Sequence, residues 1–223
     1  MSEAIVLHAC PRACSLVSHL ALEHAGARFE LRFVDLFKGE QHKSEYRALN
    51  RRGKVPFLSI GTEGIAENIA ILSWIARRVP QAGLLPPLES NDAIHALSDL
   101  SWFSSSVHPV ISRIVVPERF TSDKDGLEPI RKVACAALAA EFALIDSLLG
   151  ERQWWWPGRP SAADFYLFWF WARVSDAPFD LGPYPNYRAH IVKLGQLPAV
   201  QRVLAGERAL APCYENLKTT AEI

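Results

Sequence analysis

The stretch PQAGLLPPLESND, residues 80–92, is rich in Pro and Gly and carries no hydrophobic period. It divides the chain into two parts of different rhythm. Before it, AIVLHA is a short β-branched run that predicts a buried strand, and Pro11 ends it. Leu16, Val17, Leu20, Leu22 and Ala25 then form a helical stripe that stops at Gly26. FELRFVDL alternates as a half-buried strand does, and a basic, irregular or partly helical stretch follows it. VPFLSIG predicts a strand, TEG a turn to another, and AENIAILSWIARRV a helix with Ile69, Leu72, Ile75, Ala76 and Val79 on one face. That order, β-α-β-α-β-β-α, calls for a mixed sheet covered by helices. After Asp92 every periodic segment is helical: Ala93 to about Val116, Glu128 to Leu149, 161–175 and 185–206. The expectation is a small α/β domain over residues 1–80, a linker over 81–91, and an all-helical domain over 92–223.

Lys+Arg and Asp+Glu both number 24, so no surplus basic field exists to hold nucleic acid or an anionic membrane. The start MSEAIVLHACPRACS lacks a basic leader followed by an unbroken apolar segment. The most apolar run, FYLFWFWARV, is half of the ~20 residues that span a bilayer. These features predict a soluble, cytoplasmic protein.

Two of the four cysteines, Cys10 and Cys14, sit in CPRAC, where the first strand gives way to the first helix. Four cysteines in 223 residues are too sparse for a disulfide scaffold, and no second Cys/His pair accompanies the first to hold zinc. Cys135 lies in an Ala-rich helical pattern and Cys213 in a tail. Buried filler and a reactive thiolate at a helix N-terminus remain open for Cys10 and Cys14. Pro56 has no N–H, so Val55-Pro56 must open its strand at an edge or turn. Spacing alone favours an ordinary trans bond, since only ~5% of such bonds are cis. An exposed Val55 edge could pair with an extended peptide. Glu67 and Asn68 precede a helical stripe, where capping explains both. The sharper alternative has Asn68 and the free first-turn N–H groups holding a ligand carboxylate while Glu67 accepts from an ammonium. Ser161 and Asp164, in PSAAD, form a capping box whose loss should cost ~1 kcal/mol or more.

Taken in order, the strand–Cys turn–helix, VPFL, AENIAI, the Pro-rich linker and PSAAD resemble the glutathione S-transferase superfamily over nearly the whole chain. Within it, PRACSL is similar to the P-G-A-C-S-L turn of the bacterial beta class. The resemblance implies a thioredoxin-like first domain, a helical second domain, glutathione as co-substrate, no metal, and a homodimer active in detoxification. It places Cys14 at the catalytic cysteine and His108, in SWFSSSVHPVISRIV, at a histidine that projects toward the ligand thiol. Cys10 stands where other classes put serine or cysteine. Arg12 replaces a small residue of the beta pattern, Asn68 replaces the commoner Ser or Gly, and Lys54 replaces Gln. Val55 and Pro56 would meet the cysteinyl unit, Glu67 and Asn68 the γ-glutamyl end, and Lys38, Arg52 or Lys54 the glycyl carboxylate.

A helix N-terminus with Arg12 beside it should stabilise a thiolate on one of the two cysteines. Such a thiolate suits mixed-disulfide exchange more than simple conjugation. The second substrate is expected to be a hydrophobic electrophile between the domains, against Val107, Val110, Ile111, Ile114 and Trp102. The rival from another class is a non-catalytic ligand carrier or an RNA-polymerase-associated regulator on the same scaffold.

Overall fold

A computed structural model describes residues 4–87 and 89–210, so Cys213 and the end of the second domain lie outside the described residues. Strands β1 (Ile5–Ala9), β2 (Glu30–Phe33), β3 (Phe57–Ile60) and β4 (Glu63–Ala66) form one sheet in the order β2-β1-β3-β4. β1 runs parallel to β2, with Leu7 opposite Leu31, and antiparallel to β3, with Leu7 opposite Leu58. The parallel pair needs a crossover, which helix α1 (Ser15–His24) supplies. A short α2 (Ser44–Leu49) links β2 to β3, and α3 (Asn68–Arg78) closes the unit. Sheet and helices form the expected thioredoxin-like arrangement. Leu16, Val17 and Leu20 of α1 and Ile71, Leu72 and Ile75 of α3 are fully covered. His8 packs on Tyr46 and Phe57 and bonds Ser59, while His19 lies edge-on to Phe29.

The remainder is helical: α4 (Asn91–Trp102), α5 (His108–Val115), α6 (Leu127–Gly150), α7 (Ala162–Val174), α8 (Pro185–Gly195) and α9 (Pro198–Leu210). Two expected helices differ in detail. The pattern from Ala93 onward is interrupted by a wider π-turn over Phe103–Val107. Pro109, which follows it, has no N–H to donate to a preceding carbonyl, and a locally widened turn is a known response. The pattern over 185–206 is two helices, because the chain turns at Gln196 and Leu197 before Pro198. Among the described residues α6 alone is long and apolar enough, by length and composition, to cross a membrane. Here Ala134, Leu138, Phe142, Ile145 and Leu149 form its buried stripe, and it packs on α5 and α8.

The linker segment is itself anchored: Leu84 and Leu85 are buried, and the Leu84 carbonyl accepts the Ala162 N–H at 3.0 Å. Helix α7 is apolar on every side and lies at the centre of the helical half, as an all-round apolar helix must. Its start is held by Asp164, which is fully buried. One carboxylate oxygen accepts the Ser161 N–H at 2.8 Å; the other accepts the Trp155 N–H at 2.9 Å and lies 2.9 Å from His190 Nε2. The capping box expected from PSAAD is therefore present.

Asp164→Ala would leave two buried N–H groups without acceptors, a loss of about 2–4 kcal/mol. The thermal midpoint should fall by roughly 5–15 °C, followed by circular dichroism or calorimetry. A fall under about 2 °C would show that the capping network contributes little.

Candidate functional site

The β1–α1 turn is the centre of the site. Arg12 holds a left-handed backbone, φ +61°, which accounts for the small residue of the beta pattern at this place and costs an arginine roughly 1–2 kcal/mol. Its carbonyl accepts the Trp169 indole N–H at 3.1 Å, and its guanidinium pairs with Asp176. Cys14 is the N-cap residue of α1, with no side-chain cap of its own. Ser15 turns away from the helix end: its Oγ accepts the Cys10 N–H and donates to the Cys10 carbonyl, both at 3.0 Å.

Two separate segments converge on Cys14. Its thiol donates to the Val55 carbonyl at 3.4 Å, and its carbonyl accepts from Asn68 Nδ2 at 2.9 Å. The Val55-Pro56 bond is cis, against the trans bond that its rarity favours. Asn68 is not the cap expected of it. It is the first residue of α3, and its Oδ1 accepts Ser18 Oγ–H at 2.6 Å, so its amide ties α3 to α1. The side chain is buried, and both its amide oxygen and its amide nitrogen are engaged within the fold. The cap is Glu67, at φ +74°, an exposed carboxylate 2.6 Å from Arg52 Nη1. Helix α3 still presents first-turn N–H groups without intrahelical acceptors.

The cations divide differently. Lys54 is exposed beside the Cys14 side of the turn, its own carbonyl fixed by Tyr46 Oη–H and Asn50 Nδ2 at 2.8 and 2.7 Å. Lys38 is exposed and lies 3.6 Å from Asp35. Arg52 is held by Glu67. His108 opens α5 and stands edge-on to Trp169, with centroids 4.6 Å apart.

The electrostatics weigh against a thiolate at either cysteine in the free protein. Burial pushes the Cys14 thiol up to about 12, and Glu67 adds to the rise; Arg173 and Lys54 act against it without prevailing. Burial likewise pushes Cys10, only 3% exposed, up to about 11. A helix end is worth at most 1–2 kcal/mol, less than the loss of hydration around an enclosed sulfur. His108 is driven down to about 4, by burial first and then by Arg173 and Lys54, and is neutral at pH 7.

The sequence missed Arg173, the one basic residue of α7, which acts on both thiols and on His108. Its signal was a lone cation inside FYLFWFWARV. Of the expected apolar wall, Val107, Ile111 and Ile114 are core residues, and Trp102 packs on Phe103 and Trp155.

Alkylation of the free protein by iodoacetamide, read peptide by peptide in a mass spectrometer, should therefore be slow at neutral pH for both thiols. Because the raised values keep each sulfur protonated, the rate at Cys14 should still be rising at about pH 9.5. A plateau reached below about pH 8 would contradict the burial account.

Residues 2–77 match the family described as the glutathione S-transferase N-terminal domain. Glutathione S-transferase GstA of Escherichia coli is 28% identical over 200 residues, spanning 88% of this chain and 96% of that protein. The structure of a sphingomonad glutathione S-transferase complexed with glutathione is 31% identical, with a TM-score of 0.80 over 90% of this chain and 98% of the other. The bacterial beta class enzyme of Sphingomonas chungbukensis is 29% identical, with a TM-score of 0.81 over 90% and 98%. On fold, coverage and identity together, this chain belongs to the glutathione S-transferase superfamily.

Proposed function

We propose that the chain is a glutathione transferase of the beta type that joins glutathione to a small electrophile. The observation that carries this reading is the meeting of Cys14, the Val55 edge and the entrance of α3 at one rim, linked by contacts of 3.4 and 2.9 Å. The residues fit a γ-Glu-Cys-Gly tripeptide. Val55 offers a backbone edge to the cysteinyl unit, Glu67 and the first-turn N–H groups of α3 suit the γ-glutamyl ammonium and carboxylate, and Lys54, Arg52 or Lys38 the glycyl carboxylate. Glutathione supplies the attacking sulfur.

The chain's own part is to hold that sulfur and stabilise its charge. A protonated Cys14 is a hydrogen-bond donor; in the free protein it donates to Val55, within reach of the same edge. Thiol exchange needs a thiolate on the protein, and burial of Cys10 and Cys14 works against one. Conjugation is thus favoured over exchange. Neutral His108, beside Trp169, is available as a second polar contact. A homodimer in the cytoplasm, acting in detoxification with no metal, completes the proposal by analogy with the superfamily.

Calorimetry with reduced glutathione should show binding, and an aryl chloride such as chlorodinitrobenzene should be turned over faster than a glutathione mixed disulfide. Cys14→Ala should lower conjugation about 10- to 100-fold, while Cys14→Ser, which still donates, should stay within about tenfold of the parent. Absence of binding heat would remove the assignment. Equal losses in the two variants would remove Cys14 as donor.

A further inference from the structure

Beside Cys10, between the sheet half and the helical half, lies a cavity of about 390 Å³. It is lined by Cys10 and the β1–α1 turn, by Phe37, by the end of α5, by α6 and by the end of α7. The expected apolar wall contributes little here beyond Ile114. Instead Arg12, Arg119, Arg131 and Arg173 converge on the cavity, with Asp176 the one carboxylate among its lining residues. In a chain whose formal charge is zero, that is a strong local imbalance.

Two of the four guanidinium groups are occupied. Arg12 pairs with Asp176, and Arg131 pairs with Glu128 while its Nε donates to the Ile114 carbonyl at 3.1 Å. The other two, Arg119 and Arg173, enter no ion pair or hydrogen bond with a described residue. Arg12 adds a further open donor: its side chain is only 10% exposed, yet its buried Nε has no acceptor. A buried N–H without an acceptor is costly and rare, and a guanidinium does not escape the cost by losing its proton. Burial, then Arg12 and Arg119, press Arg173 down to about 10, as expected of like charges crowded around one space. Cys10, Pro11, Arg12 and Ala13 line the cavity, so it adjoins the turn that leads into Cys14 at the start of α1.

We propose that this cavity holds the electrophile and that the electrophile is a carboxylate. Arg173, Arg119 and the open Nε of Arg12 receive the anion, and its apolar body lies against Ile114 and Phe37. Planar guanidinium groups match a carboxylate's two oxygens, which a neutral aromatic electrophile would leave unpaired. The inference rests on the transferase reading for the identity of the ligand as electrophile, but not for the anion site itself.

The test therefore uses unreactive probes and no glutathione. In calorimetry on the full chain, para-nitrobenzoate should bind at least about tenfold more tightly than nitrobenzene. Arg173→Gln and, independently, Arg119→Gln on its exposed turn should each weaken para-nitrobenzoate about tenfold, with nitrobenzene unchanged. Equal affinity for the two probes would overturn the proposal, as would variants that fold with normal thermal midpoints and bind para-nitrobenzoate unaltered. Inorganic phosphate binding as tightly as para-nitrobenzoate would also overturn it, in favour of a bare anion hole. Glutathione titrated into the same samples separates the two readings. Loss of glutathione heat alone removes the transferase assignment, and loss of the para-nitrobenzoate preference alone removes the carboxylate site.

Discussion

The clamp on Arg12 is the constraint from which the rest of the site follows. A left-handed arginine is costly by itself, and three contacts from the helical half offset that cost: the Trp169 indole on its carbonyl, Asp176 on its guanidinium, and Glu207 Oε1 at 3.4 Å from its N–H. These contacts cross between residues 157 and 195 positions apart in the chain. They fix the path of the turn, hence the direction in which Cys10 and Cys14 leave it, and they place Arg12 on the cavity. A glycine would take the same turn without strain, but it would tie the two halves together only through its backbone. The helical half is therefore part of the site's skeleton as well as a wall of it.

Local order was legible where one short stretch carries its own physics. The strands, the stop at Gly26, the capping box at Ser161 and Asp164, and the change of rhythm at the Pro-rich segment all depend on neighbours in sequence. What escaped depends on neighbours in space. Asn68 looked like a cap because caps are common before a stripe, but Ser18 and the Cys14 carbonyl claim its amide. The four arginines come from the first turn, the segment after α5, α6 and α7, and no period relates them. The state of the thiols depends on something the stretch does not carry. The sequence shows which residues adjoin Cys14 along the chain, and both Arg12 and the helix end argue for a thiolate. How much water the fold removes from the sulfur is not written in that stretch, and that quantity decides the outcome.

Burial sorts the groups of the cleft by whether they can surrender charge. Cys10, Cys14 and His108 all can, and each is pushed to its neutral form: the thiols upward, the imidazole downward. Arginine cannot do so near neutral pH, so Arg173 stays charged even when pressed down to about 10. The result is a cleft whose neutral groups are hydrogen-bonding partners and whose lasting charge is positive, through the whole range between about 4 and about 10. Negative charge must then arrive with the ligands. A thiolate forming on a bound tripeptide and a carboxylate on its partner would each lower the energy of the guanidinium cluster. A protein thiolate in the same place would have to pay for its own burial first, which is why the field that fails to ionise Cys14 can still favour an anion that enters the cleft from outside.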